Sequence, residues 1–368
     1  MRILVACDSF KDALPADAVC RAIATGLRKA HPDAEVIEMP LSDGGEGVLD
    51  ILRRALSLTA VEMEVADPLG RPVKASYGLS ADGHTALVEM ATASGLQLLT
   101  LEERDPLRTS TFGTGQLLAD AKARGATRAL LAIGGSATND AGVGMAAALG
   151  WKFLDADGDG VTPEGGRLGD IEDIVPPPDA LFKSVEVLCD VTNPLYGPQG
   201  AAWIYGRQKG GTDESLARLD DGLRHIAAVV EKKLGRAGLA DVPGAGAAGG
   251  LGFGALAFLG ARLRRGIEMV LDLVGFDVAV KNADLVITGE GHIDHQSLQG
   301  KLIQGVCGRA GSVPVIALCG KLSATSEQVR AVGLRAAHSI NETDRPLAEM
   351  LAATAANLER TAARLAVP

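Results

Sequence analysis

The sequence predicts an α/β protein of two α/β domains. One is a Rossmann- or flavodoxin-like parallel sheet built from both chain ends, and the second is inserted and has a mixed sheet. Three observations carry that prediction. Short apolar runs alternate with helical patterns at the start of the chain, the same alternation returns at its end, and an antiparallel hairpin signal interrupts the middle.

Taken in order, Ile3-Leu4-Val5-Ala6 is a short apolar run of the kind that forms a buried strand. Pro15 precedes a helix whose apolar face is Val19, Ala22, Ile23, Gly26, Leu27 and Ala30, and His31-Pro32 stops it. Glu35 to Met39 reads as a second strand, followed by the turn Pro40–Gly47 and another helix. After about residue 60 the pattern changes, with Lys74–Ser80 and His84–Met90 flanking the turn Ala81-Asp82-Gly83. Arg128–Ile133 is another buried strand that runs into Gly134–Asp140, and Asp213–Leu234 is a long helix with a polar face. Asp284–Thr288 and Val313–Leu318 restore the strand-then-helix pattern, and a last helix spans about Leu347 to Leu365. The expected division is therefore a discontinuous domain of residues 1–60 and 282–368, with residues 61–281 inserted.

Bulk properties narrow the function. At 368 residues and 47% hydrophobic the chain has ample core, but aromatics are only 3%, so Ala, Leu, Val and Ile must fill it. A net charge of −10 argues against a nucleic-acid partner, whose phosphates it would repel. The five cysteines are odd in number and have no C-x-x-C spacing, so neither a disulfide framework nor a zinc knuckle is expected. No signal-peptide pattern or membrane-length apolar stretch is visible, so the expected location is the cytoplasm, away from membranes. A monomer and a homodimer are both compatible with the sequence.

In parallel α/β sheets, ligands bind beyond the carboxyl ends of the strands. Four acidic loops fall at such places: Asp8–Lys11, Ser42–Gly47, Asp190–Pro194 and Thr288–Asp294. Carboxylates there suit Mg²⁺, while glycine-flanked N–H groups suit phosphate oxygens. A single Asp after a strand is often only a helix cap, and Asp-Gly-Gly is common in turns. Four such loops together are harder to dismiss. Gly134-Gly135-Ser136-Ala137-Thr138-Asn139-Asp140 runs from a strand straight into a helix, which fits an anion cradle or a tight turn capped by Asn139 or Asp140. Gly244–Gly249 matches G-x-G-x-x-G, but Pro243 and a loop-like lead-in stand where a dinucleotide site needs a strand. It remains a phosphate loop or a packing contact. Asp155–Gly160 copies the opening of a calcium loop, yet Gly166 holds the position of its bidentate Glu, leaving a solvated turn. No G-x-x-x-x-G-K-[ST] is present, because Gly300-Lys301 and Gly320-Lys321 are each followed by Leu. Lys11, Lys209 and Lys301 are the lysines nearest these loops.

Several of these segments together resemble the bacterial type-1 glycerate kinase family. They are DSFK at Asp8–Lys11, PLSDGGEG at Pro40–Gly47, VEMATASGL at Val88–Leu96 and TFGTG at Thr111–Gly115. GGSATNDAGVGM at Gly134–Met145, CDVTNPL at Cys189–Leu195, QKGG at Gln208–Gly211, GAGAAGGLG at Gly244–Gly252 and DLVITGEGHID at Asp284–Asp294 continue the series. The resemblance implies ATP- and Mg²⁺-dependent phosphorylation of D-glycerate, usually giving 2-phosphoglycerate, by two domains with the active site in the cleft between them. The chain departs from the family pattern at Asp12-Ala13, Tyr196, Tyr205 and Arg207, and at His292, where an Arg is usual. An Arg there could clamp a carboxylate or phosphate bidentately, whereas a histidine would bind more weakly above neutral pH, so a difference in substrate affinity or preference is expected.

On phosphoryl-transfer logic, Asp190, Lys11 and Asp43 are then the expected catalytic residues. Ser9, Lys11, Asn193 and His292 would contact the substrate. Gly134, Gly135, Ser136, Asn139, Gly246, Gly249, Gly289 and Lys301 would hold nucleotide phosphates, and Asp43, Glu290 and Asp294 would hold Mg²⁺. Two rivals stand beside this reading. One is a metal-dependent hydrolase using Glu290, His292, Asp294 and His295, and the other is a non-enzymatic sugar-acid sensor.

Overall fold

The computed structural model describes residues 1–43, 48–294, 302–341, 343 and 345–366. In chain order the described strands are β1 (Arg2–Val5), β2 (Glu35–Glu38), β3 (Thr59–Ala66), β4 (Pro72–Leu79), β5 (Thr85–Glu89), β6 (Arg128–Ala132) and β7 (Lys152–Leu154). They continue with β8 (Asp173–Val175), β9 (Ser184–Leu188), β10 (Arg262–Arg264), β11 (Leu285–Ile293), β12 (Val315–Leu322) and β13 (Ala336–Ser339). The chain forms two compact units, one of residues Met1–Leu56 with Gly266–Pro368 and the other of Ser57–Arg265.

The first unit is a fully parallel sheet of order β13-β12-β11-β1-β2. Its connections run outward in opposite directions from the β1–β11 pair, which is the topological switch point of a doubly wound sheet. Ile3, Val5, Leu285, Ile287, Ile316 and Leu318 form its core with Val19, Ile23 and Leu27 of the helix Ala16–Ala30. The division falls at residue 266, earlier than the boundary at 282 expected from sequence. The reason is that the helices Gly266–Leu273 and Phe276–Val280 pack with Val48–Ala55 and Leu302–Ala310 of this unit.

β11 is longer than its apolar run suggests. Gly289-Glu290-Gly291-His292-Ile293, expected as a loop, continues the strand and pairs with β12 as far as Ile293 beside Leu322. Glycine permits that close pairing, since a Cβ on Gly289 would lie 2.3 Å from the Leu318 carbonyl oxygen. The final helix is also not continuous. It breaks at Ala353 into Leu347–Ala352 and Thr354–Ala363. There the Thr354 hydroxyl donates to the Met350 carbonyl at 3.1 Å, a back-bond that bends helices.

The second unit has a six-stranded sheet of order β10-β9-β6-β5-β4-β3. β10, β9, β6 and β5 are parallel, while β4 is antiparallel to both neighbours, so the sheet is mixed. Trp151 and Phe153 stack edgewise on Phe258 with ring centroids 5.2 and 5.4 Å apart, one of the few aromatic clusters in an aliphatic core. The helix Asp213–Leu234 starts at a capping box between Thr212 and Ser215 and ends at left-handed Gly235. No helix among the described residues is long and apolar enough to cross a membrane.

Candidate active site

The first unit concentrates charge at its switch point. β1 delivers a buried apolar run that ends at Asp8, whose N–H donates to the Gly289 carbonyl at 2.9 Å and so ties the Asp8–Ala13 loop to β11. The Asp8 carboxylate is only 8% exposed. Its Oδ1 accepts the Ser9 N–H at 2.6 Å and the Ser9 hydroxyl at 3.3 Å, and its Oδ2 accepts the Asp43 N–H at 3.2 Å. Burial, and then the neighbouring Asp43 carboxylate, push its pKa up to about 6 in spite of those bonds.

A cavity of about 630 Å³ opens over these residues. It brings together Ser9, Lys11, Asp43, Glu290 and His292 from the sequence-predicted set, and it adds Asp8, Lys321 and Asn341. Lys11 and Lys321 have no ion-pair partner among the described residues. His292 stands beside Lys321 across the β11–β12 pair, and its Nε2 lies 2.8 Å from the Ser323 hydroxyl. Asp294 follows β11 but is not on the cavity wall. Gly289 is buried in the ladder, so close strand packing accounts for it. Lys301 and His295 lie outside the described residues.

The second unit gathers its candidate loops at the carboxyl edge of β5, β6, β9 and β10. Gly134 and Gly135 leave β6 exposed, and a Cβ on Gly134 would meet nothing within 4 Å. Behind that open turn the loop is buried and heavily bonded. Asp140, fully buried, accepts from Thr111 N–H and Oγ1, each at 2.7 Å, and from the N–H groups of Gly142 and Gly144, each at 3.1 Å. Burial nevertheless raises its pKa. The Asn139 side chain is buried, with neither its oxygen nor its nitrogen partnered among the described residues.

Lys209 lies beneath this loop. It is 2% exposed, and its Nζ donates to the Thr138 carbonyl at 2.6 Å and to the Ser136 hydroxyl at 3.2 Å. Burial lowers its pKa to about 7 against the opposing pull of the Asp140 carboxylate. The second glycine loop packs on the first. Ser136 Oγ donates to the Ala248 carbonyl at 3.3 Å, and Ala141 N–H donates to Gly249 O at 3.1 Å. Ala248, Gly249 and Gly250 are all left-handed, and a Cβ on Gly249 would fall 1.9 Å from the Thr138 oxygen. Gly249 is thus a packing glycine, and the N–H of Gly246 is taken by the Asn193 carbonyl at 3.0 Å.

Asp190 and Asn193 follow β9. Asp190 is exposed, whereas the Asn193 amide donates to Gln199 O at 2.8 Å and accepts from the Tyr205 hydroxyl at 2.7 Å, which holds the loop's shape. Asp155 likewise accepts the N–H groups of Asp157 and Asp159, forming the solvated turn expected of the false calcium loop. No group of three or more His, Cys, Asp or Glu among the described residues is placed to hold a metal by itself.

Sequence reasoning named Asp8 only as the start of an acidic loop and Lys209 only as one of three lysines near these loops, and it gave Lys321 no place in the site. Asp8 opens a quoted motif, and Lys209 sits in Gln208–Gly211, but burial, the property that distinguishes both, has no local signature. Lys321 had a weak signal in Gly320-Lys321.

Charged loops at the carboxyl edges of two α/β sheets, with an open glycine turn and no P-loop motif, define an α/β ligand-binding protein outside the common nucleotide-binding classes. The chain belongs to the glycerate kinase family, whose family model matches residues 3–367. It is 45% identical over 371 residues to a glycerate kinase of Bacillus subtilis (strain 168), covering 100% of this chain and 97% of that one. It is 44% identical over 345 residues to a glycerate 2-kinase of Escherichia coli (strain K12), covering 92% and 90%. The crystal structure of a putative glycerate kinase 2 from Salmonella typhimurium LT2 superposes with a TM-score of 0.86 at 42% identity, covering 99% of this chain and 96% of that one. The chain is an enzyme, a kinase.

Proposed function

We propose that this kinase transfers the γ-phosphoryl group of ATP to the 2-hydroxyl of D-glycerate, giving 2-phospho-D-glycerate and ADP, in the cytoplasm. The observation that carries the reading is the cavity at the β1–β11 switch point, whose lining joins carboxylates with two lysines that have no ion-pair partner among the described residues. The 2-position is supported by the Escherichia coli relative named glycerate 2-kinase.

The residues present fit Mg²⁺. Asp43 and Glu290 offer hard oxygen donors in the lining of one cavity, and Mg²⁺ is commonly held by one or two carboxylates with water and phosphate oxygens completing its shell. Asp43 and Glu290 would hold the ion, which supplies neutralisation of phosphate charge when bound. Lys11 and Lys321 attract and steady the transferred phosphate, and His292 lines the same cavity. The open N–H groups of Gly134 and Gly135 receive anionic oxygens, with Ser136 and Asn139 shaping the turn behind them. Asp190, exposed at the end of β9, accepts the hydroxyl proton.

The test is incubation with ATP, Mg²⁺ and D-glycerate, followed by ³¹P NMR. A 2-phosphoglycerate signal is the expected result. Exclusive 3-phosphoglycerate would move the acceptor hydroxyl, and no phosphoglycerate of either kind would sink the reading.

A further inference from the structure

We infer that the cavity of the first unit takes the purine ring of the nucleotide, seated on the apolar face of the helix Leu347–Ala352, with its phosphates toward Lys11 and Lys321. The inference rests on the reading that a purine nucleotide is the phosphoryl donor, and it names the subsite that reading leaves open.

Leu347, Met350 and Leu351 recur at the spacing that puts them on one face of the helix, with Thr354 continuing the row. An amphipathic helix ordinarily buries such a stripe in the core. Here no residue of Leu347–Ala352 is buried, and Leu347 is 66% exposed. The stripe lines the cavity instead. The break at Ala353, reinforced by the Thr354-to-Met350 bond, frees this turn from the course of the following helix, which packs on Ala16–Ala30.

The cavity lining therefore combines apolar Leu347, Met350 and Leu351 with Lys11, Lys321 and the carboxylates of Asp8, Asp43 and Glu290. Glycerate has no apolar face to cover the stripe, and so small an acid would leave most of about 630 Å³ filled with water. A purine nucleotide has the matching polarity, with a flat apolar ring at one end and an anionic, metal-binding chain at the other. The volume also lies within the range of roughly 300–1,000 Å³ typical of sites for ligands of that size. Asn341, also in the lining, donates to Gly320 O at 2.8 Å and accepts from Asn357 at 2.9 Å.

The test is Leu347→Asp, chosen because an exposed side chain is not needed for folding. Calorimetric titration with ADP should show binding weakened by about tenfold or more, and KM for ATP should rise in parallel while KM for D-glycerate stays within about twofold. Photolysis of the unmodified enzyme with 2-azido-ADP should label a peptide containing residues 347–354. Unchanged ADP affinity in the variant, labelling confined to other peptides, or a rise in KM for D-glycerate alone would overturn the inference. The two readings fail separately. ADP binding that depends on Leu347 without phosphoglycerate formation would sink the proposed reaction alone. Phosphoglycerate formation indifferent to Leu347 would sink the purine subsite alone.

Discussion

Asp8 and Lys209 are ionisable side chains held in the interior, each at the root of a loop that carries chemistry. Lys209 makes a pH prediction with a definite sign. Its folded pKa, about 7, lies far below that of an ordinary lysine, so between about pH 7 and 10 the unfolded chain binds more protons than the folded one. Stability from this residue therefore rises with pH across that window. Chemical denaturation of the wild type should show this rise between pH 7 and 9, and Lys209→Met should lose up to about 1.4 kcal/mol per pH unit of the slope. Identical slopes would mean that Lys209 is not buried as a strained cation. Asp190 gives the kinetic counterpart: Asp190→Asn should lower kcat at least ~100-fold in a folded enzyme, and near-normal turnover would remove it from the reaction. Neither burial was legible in the sequence. Lys209 is buried by Ser136 and Thr138 some seventy positions away, and Asp8 by contacts with Asp43 and Gly289, so both depend on tertiary neighbours.

At the scale of elements, apolar runs and turn residues were enough to find β1, β6, the β4–β5 hairpin and the helix Asp213–Leu234 close to their observed bounds. They failed at β11, where Gly-Glu-Gly has the composition of a turn but is locked as a strand by pairing with β12. The break at Ala353 was invisible for a similar reason, because the helical pattern runs through it and the Thr354-to-Met350 hydrogen bond that accompanies it has no signature in the pattern. The two glycine loops, alike in composition, separate by what surrounds each glycine. Gly249→Ala places a methyl against the Thr138 carbonyl at a left-handed position, and the midpoint of thermal unfolding should fall by about 5 °C or more. Gly134→Ala meets open space, so the midpoint should hardly move, while kcat/KM falls by about tenfold or more because the methyl covers N–H groups offered to an anion. Equal melting points for the two variants would contradict this division of labour.

For the whole molecule, chain continuity and structural unity part company. Residues 57–265 are contiguous and enclose a complete core, whereas the other unit is assembled from segments at opposite ends of the sequence. A fragment of residues 57–265 should therefore give a cooperative unfolding transition and dispersed amide NMR signals. Residues 1–56 alone should remain unfolded, since β1 and β2 lack three of their sheet partners. A molten or aggregated 57–265 fragment would show that its core is not self-sufficient. This organisation was visible in outline from the return of the strand-helix pattern near Asp284. The boundary at 266 was not, because the helices that follow it resemble those of either unit until their packing partners are known.

The register of β1 against β11, with Ile3 beside Leu285, has a consequence for biosynthesis. A ribosome releases β1 some 280 residues before its inner neighbour, a delay of roughly 15–60 s at elongation speeds of about 5–20 residues per second. Throughout that interval the inserted unit can fold on its own, while Val19, Ile23 and Leu27 wait without the strands that bury them. Slow or interrupted translation past residue 265 should thus leave a nascent chain with a finished middle and an uncovered apolar amino-terminal helix face.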